Sequence, residues 1–173
     1  VFISLPVDVL NAERELDLTS EVPNAQLESL RRRHADELRL APYLSVYAYA
    51  VNVQRLPDTD VRLALAMAAD RSRITRQVTG AGEEPALGWV PPGIPHYQPA
   101  RFSWRDLPYS GAADEARALW VSARRSGGAP AHLKLCTDAS ANHHRTAVAL
   151  ADLAWGSTLW VEARVASLPP GNG

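Results

Sequence analysis

Strand-like and helix-like segments alternate along this chain, and that alternation predicts an α/β fold: a mixed sheet flanked by helices. Three observations carry the expectation. The run from Leu44 to Val51 is rich in β-branched and aromatic residues, as a central strand would be. From Thr59 onward the residues Val61, Leu65 and Ala68 recur at helical spacing, with Leu63 and Met67 widening the stripe. The apolar fraction, 46% of 173 residues, is large enough to fill a core.

Val1 to Leu5 reads as a short buried strand ended by Pro6, and Glu15 to Thr19 as a second. Asn24 caps a helix with Leu27 and Leu30 on one face. After the Leu44–Val51 strand, Asp58 caps the Thr59 helix. Asp70 caps a shorter one through Ile74 and Val78, which Gly80 ends. Residues 80–111 concentrate proline, glycine and the aromatics Trp89, Tyr97, Phe102 and Trp104, the composition of a long loop that is either functional or packed down by its own rings. A helix follows from Ala112 to Ser126, ended by Gly127-Gly128. Leu133 to Cys136 is a strand with Cys136 in the core. Ser140 caps a helix from Ala141 to about Trp155, and Leu159 to Val165 is a further strand. Residues 1–168 read as one unit and 169–173 as a disordered tail.

Composition narrows the function. With 18 basic against 19 acidic residues the net charge is −1, so no nucleic-acid partner is expected. Arg31, Arg32 and Arg33 lie among Glu28, Asp36 and Glu37, the pattern of a solvated helix face. A single cysteine excludes an internal disulfide. No apolar run is long enough to span a bilayer, and no signal-peptide pattern opens the chain. Its start inside the strand Val1-Phe2-Ile3 raises the expectation that it is part of something longer.

Chemistry-bearing motifs are sparse. Phosphate-loop, dinucleotide and H-E-x-x-H patterns are absent, and no cofactor is expected. His143-His144 with Asp138 invites a metal reading, but adjacent helix positions point in different directions, so no metal site is assigned. Ser140, His143 and Asp138 supply the residue types of a hydrolase, without a G-x-S-x-G elbow around the serine. Tyr47 and Tyr49, two apart on one strand, share a face that suits either a core or a ligand cleft.

The segment Asp58-x-x-Val61-Arg62-x-Ala64-Leu65-x-x-Ala68-x-Asp70-Arg71 resembles the D-V-R-V-R-x-A-L-x-x-A-x-D-R helix of the oligopeptide- and dipeptide-binding (OppA/DppA-like) proteins of ABC importers. Other pieces occur in the same order. Glu15-Leu16-Asp17 is similar to G-E-I-D, and Pro42-Tyr43-Leu44-x-x-Tyr47-x-Tyr49 with Asn52-x-Gln54 to P-Y-L-x-x-Y-Y-Y-x-x-N-x-Q. Pro85-Ala86-x-Gly88-x-Val90-Pro91-Pro92-Gly93 is similar to P-A-x-G-x-x-P-P-G, Asp114 to Leu119 to the helix carrying E-A-K-x-L-L, and Ser140-x-x-His143 to S-x-x-H-K-K.

The resemblance implies most of the second large lobe of a two-lobed, clamshell (type II) periplasmic binding protein. It implies a non-enzymatic, extracytoplasmic role: binding a peptide ligand and delivering it to an ABC permease, with the remaining lobe of the same protein closing the cleft. His143 would meet a peptide carboxylate, and Tyr43 and Ser45 match strand positions near the cleft. Thr79 stands where oligopeptide binders can have a carboxylate-pairing lysine, and Asp60 replaces an arginine in the helix motif. A sensory domain of a transcriptional regulator is the alternative reading, and a Ser140/His143 hydrolase the third.

Overall fold

The computed structural model describes Val22 and residues 24–39, 44–91, 93–98, 100, 102–138 and 140–168. The expected strands Val1–Leu5 and Glu15–Thr19, the residue Tyr43 and the tail 169–173 lie outside the described residues.

Helix α1 spans Asn24–Arg33 and buries Leu27 and Leu30, the two leucines of its apolar face. Helix α2, Thr59–Ala68, begins at Asp58, whose carboxylate accepts the N–H of Asp60 at 2.8 Å. Its stripe is the core: Val61, Ala64, Leu65, Met67 and Ala68 are all buried. Asp70 accepts the N–H of Arg73 at 2.9 Å and opens α3, Arg71–Arg73. The chain then widens to i→i+5 bonding over Ile74–Thr79 and stops at Gly80, whose φ of 65° is the left-handed conformation glycine adopts without strain.

The end of α2 lacks such a glycine. Ala69 leaves the helix extended, so the last carbonyls of α2 need side-chain donors. Trp155 Nε1 donates to the Leu65 carbonyl at 3.1 Å and Arg71 Nη1 to that of Ala66 at 2.8 Å. Tyr109 Oη donates to the Ala68 carbonyl at 3.2 Å, and Arg71 Nη1 also reaches the Ala69 carbonyl at 3.1 Å. The Arg71 guanidinium lies over the Phe102 and Trp104 rings, 5.6 and 5.1 Å from their centroids, and burial lowers its pKa. Those rings stack 4.9 Å apart and, with Arg71, hold one end of the proline-rich stretch, whereas its other aromatics, Trp89 and Tyr97, are exposed rather than packed down. At the other end of α2, Arg62 donates to the carbonyls of Leu56 and Pro57 at 2.8 and 2.6 Å. The side chains of Asp58, Arg62, Asp70 and Arg71 in this motif therefore all bond the backbone.

Helix α4, Tyr109–Arg125, starts three residues before the expected Ala112 and packs along α2 through Ala112, Ala116, Trp120 and Ala123. Strand β1, His132–Thr137, pairs in parallel with β2, Glu162–Ser167, in the register His132↔Glu162 to Thr137↔Ser167. Between them run α5, Ala141–Ala149, a wide-turn segment Leu150–Gly156, and α6, Ser157–Leu159. This is a βαβ crossover, the connection two parallel strands require.

Three expectations are corrected. Cys136 is exposed, not core, because the period-two alternation of β1 buries Leu135 and Thr137 and turns Cys136 to the other face. The last strand begins at Glu162 rather than Leu159: Leu159 ends α6 and Trp160 turns the chain at φ 51°. Residues 45–50 make no strand ladder with any described residue; their composition suits a strand, but a ladder needs a second strand alongside. No helix among the described residues is long and apolar enough to cross a membrane.

Candidate functional site

The parallel strand β1 delivers Asp138 at its C-terminal end, and two residues later Ser140 caps α5. The serine Oγ accepts the N–H of His143 at 3.5 Å, and its own N–H donates to Asp138 Oδ1 at 3.0 Å. This double turn places the first-turn residue His143 over the carboxylate. The imidazole Nδ1 lies 2.8 Å from Oδ1 and 2.7 Å from Oδ2 of Asp138.

The 45–50 segment supplies the second wall. The Tyr47 ring stacks on the His143 imidazole, 4.4 Å between centroids at 16°. Tyr47 and Tyr49 meet edge to face at 5.3 Å, as expected of i and i+2 positions on one face. The Tyr47 hydroxyl donates to that of Tyr49 at 3.0 Å, which donates to the His143 carbonyl at 3.3 Å. Asn142, one residue before the histidine, donates to the Asn24 side chain at 3.2 Å and ties α1 to the same end of α5.

The electrostatics follow from these contacts. The hydrogen bond from His143, then that from the Ser140 N–H, holds the Asp138 carboxyl below its ordinary range. Burial, and then the bond from Tyr47, pushes the Tyr49 phenol far above its ordinary value, so it stays a neutral donor. The His143 side chain remains 38% exposed.

Of the residues expected at a site, the structure places His143 at the centre of this cluster. Ser45 is exposed and is not part of it, and Tyr43 lies outside the described residues. The sequence leaves Tyr47 and Tyr49 open between core and cleft and offers Asp138 only as a metal or hydrolase residue; the structure brings all three to His143. The available signals were the i, i+2 tyrosine pair and an acidic residue two positions before the capping serine. Ser140 engages the backbone N–H of His143, while the ring faces Asp138, so the pair is not arranged as nucleophile and base. Among the described residues no group of three His, Cys, Asp or Glu side chains is placed to hold a metal. A surface groove of about 430 Å³ along α4, lined by Asp114, Arg117, Ala118 and Val121, includes none of the His143 cluster.

Comparison with known proteins agrees with this architecture. The chain is 31% identical over 171 residues to the periplasmic oligopeptide-binding protein OppA of Salmonella typhimurium, a match covering 94% of the chain and 31% of that protein. It is 29% identical over 153 residues to the periplasmic murein peptide-binding protein MppA of Escherichia coli, covering 87% of the chain and 28% of that protein. A third relative, 31% identical over 153 residues, is the probable deoxycholate-binding periplasmic protein YgiS of Escherichia coli. Among solved structures, that of the Escherichia coli murein tripeptide binding protein MppA superposes with a TM-score of 0.82 at 27% identity, over 92% of this chain and 32% of that one. OppA of Burkholderia pseudomallei gives 0.80 at 28% identity, over 92% and 32%. The chain thus has the fold of part of a type II periplasmic binding protein and spans about 30% of the length of the relatives it matches. Residues 8–153 match the model of the bacterial extracellular solute-binding proteins, family 5 middle region, and the chain belongs to that family.

Proposed function

We propose that this chain is part of the solute-binding component of an ABC importer, that it works outside the cytoplasm, and that its solute is a peptide. Residues 1–168 would form most of the second large lobe, with residues outside this chain completing the cleft and a membrane permease receiving the solute. The role is non-catalytic: a solute that touches both lobes favours the closed state, and one that touches a single lobe does not.

The observation that carries the reading is the His143 ring itself. It is oriented by Asp138, stacked on Tyr47 and still partly open, at the carboxyl end of a parallel strand, where α/β folds place their ligands. Tyr43 and Ser45 precede Tyr47 in the same segment and are proposed as the continuation of this wall. The names of OppA and MppA support a peptide, while that of YgiS makes a bile acid the competing solute.

Calorimetry on the full-length gene product, titrated with tripeptides to pentapeptides and with deoxycholate, tests this. Peptide binding in the micromolar range is expected, with little heat when this 173-residue chain is titrated alone. Binding of deoxycholate without peptide would overturn the choice of solute. Equal peptide affinity for the isolated chain would overturn the two-lobed mechanism.

A further inference from the structure

Both carboxylate oxygens of Asp138 face the same ring nitrogen of His143, Nδ1, at 2.7 and 2.8 Å. An ionised carboxylate only accepts hydrogen bonds, so Nδ1 carries the proton. Two ring states remain. When the ring is neutral, Nε2 is unprotonated and offers a lone pair. When the ring is protonated, Nε2 donates, but Asp138 cancels the charge. In neither state is the pair net positive.

The surroundings do not change that sum. Tyr49 is held neutral, and the Ser140 oxygen is spent on the helix cap. The partial positive charge at the start of α5 is met by the same Asp138, which accepts the Ser140 N–H. Arg145, the nearest cation along α5, donates to the Val78 carbonyl at 3.1 Å. His144 is turned about 100° round the helix axis from His143. A solute carboxylate on Nε2 would feel a protonated ring at roughly 4 Å and Asp138 at roughly 7 Å, so more than half the Coulomb attraction is cancelled.

We propose that Asp138 is a specificity-determining residue: it makes His143 a receiver for an N–H donor of the solute, an ammonium, guanidinium or amide group, in preference to a free carboxylate. This rests on the reading that His143 faces the solute.

The test uses the full-length gene product and its Asp138→Asn variant, which preserves shape and removes the charge. Calorimetry compares peptide pairs that differ only in a free or an amidated C-terminus, and ¹⁵N spectra report the His143 ring. The expected wild type binds the amide at least as well as the acid, with the neutral ring protonated on Nδ1. In the variant the acid-to-amide affinity ratio rises by about tenfold at a pH where the ring is protonated, the gain of one charge-assisted contact. A wild type that favours the acid, with the ratio unchanged in the variant, would overturn the proposal. If no peptide binds either protein, the peptide reading fails. The ring spectra then decide the present one: a proton on Nδ1 that moves to Nε2 in the variant upholds it, and a proton on Nε2 in both sinks it.

Discussion

Gly128 sits against Asp58 so closely that a Cβ atom on it would collide with the carboxylate Oδ2. The turn after α4 thus packs on the cap of α2, and the absence of a side chain at 128 leaves Asp58 free to accept the Asp60 N–H. Gly128→Ala is expected to displace that cap and cost about 0.5–2 kcal/mol, the usual value of a lost N-cap. Urea unfolding of the variant measures it. Asp58→Ala should cost a similar amount, and the double variant should cost less than the sum, because both act on one contact.

Trp155→Phe keeps most of the buried ring and removes the donor that satisfies the Leu65 carbonyl. The expected loss is about 1–3 kcal/mol, the penalty of leaving a buried acceptor unpaired. A melting temperature equal to that of the parent would show that the bond contributes nothing.

Arg71→Lys tests whether charge or shape matters at the end of α2. One planar guanidinium donates to the carbonyls of Ala66 and Ala69 while lying over two rings. An ammonium is a compact point charge and does not reproduce the packing of the planar group over the rings while donating to both carbonyls. The lysine variant should recover less than half of the stability lost in Arg71→Ala, read from denaturant midpoints.

Acid titration tests Asp138. Its pKa is depressed in the folded state by His143 and Ser140, so its stabilising contribution is present above the ordinary value of 3.8 and is lost as pH falls through the lower folded value. Asp138→Asn should therefore flatten the acid limb of the stability profile below about pH 4. The group is exposed, so the effect should be small and reduced by salt.

Cys136 should react with a maleimide or disulfide reagent in the folded chain, at one equivalent, with a rate close to that of the urea-unfolded protein. Protection of more than a hundredfold would return the residue to the core (protection scale as in local-opening equilibria).

Much of this architecture was readable from local chemistry. The caps at Asp58, Asp70 and Ser140 act within three residues, so their sequence signature and their structure coincide. The stripe of α2 is likewise local, and it buries as its spacing requires. What depends on distant partners was not readable. The side of β1 that Cys136 takes is decided by where α5 packs, and a ladder along 45–50 would depend on a second strand. The helix after Ser140 continues past Trp155 through wide turns that no single residue announces. At the candidate site, His143 was legible through Ser140-x-x-His143. Its stacking on Tyr47, 96 positions earlier by number, was not, since nothing in either segment specifies the other.

Two of the carbonyls that end α2, those of Ala68 and Leu65, are satisfied from 41 and 90 residues away, by Tyr109 and Trp155. Bonds of that sequence separation form only after a long loop has closed, so they are expected to form late, on the downhill side of the folding barrier. Weakening either one should leave the refolding rate nearly unchanged and accelerate unfolding. On that expectation the end of α2 is a kinetic latch, setting how long the native state persists more than how quickly it is reached, and the refolding and unfolding rates of Tyr109→Phe and Trp155→Phe check it.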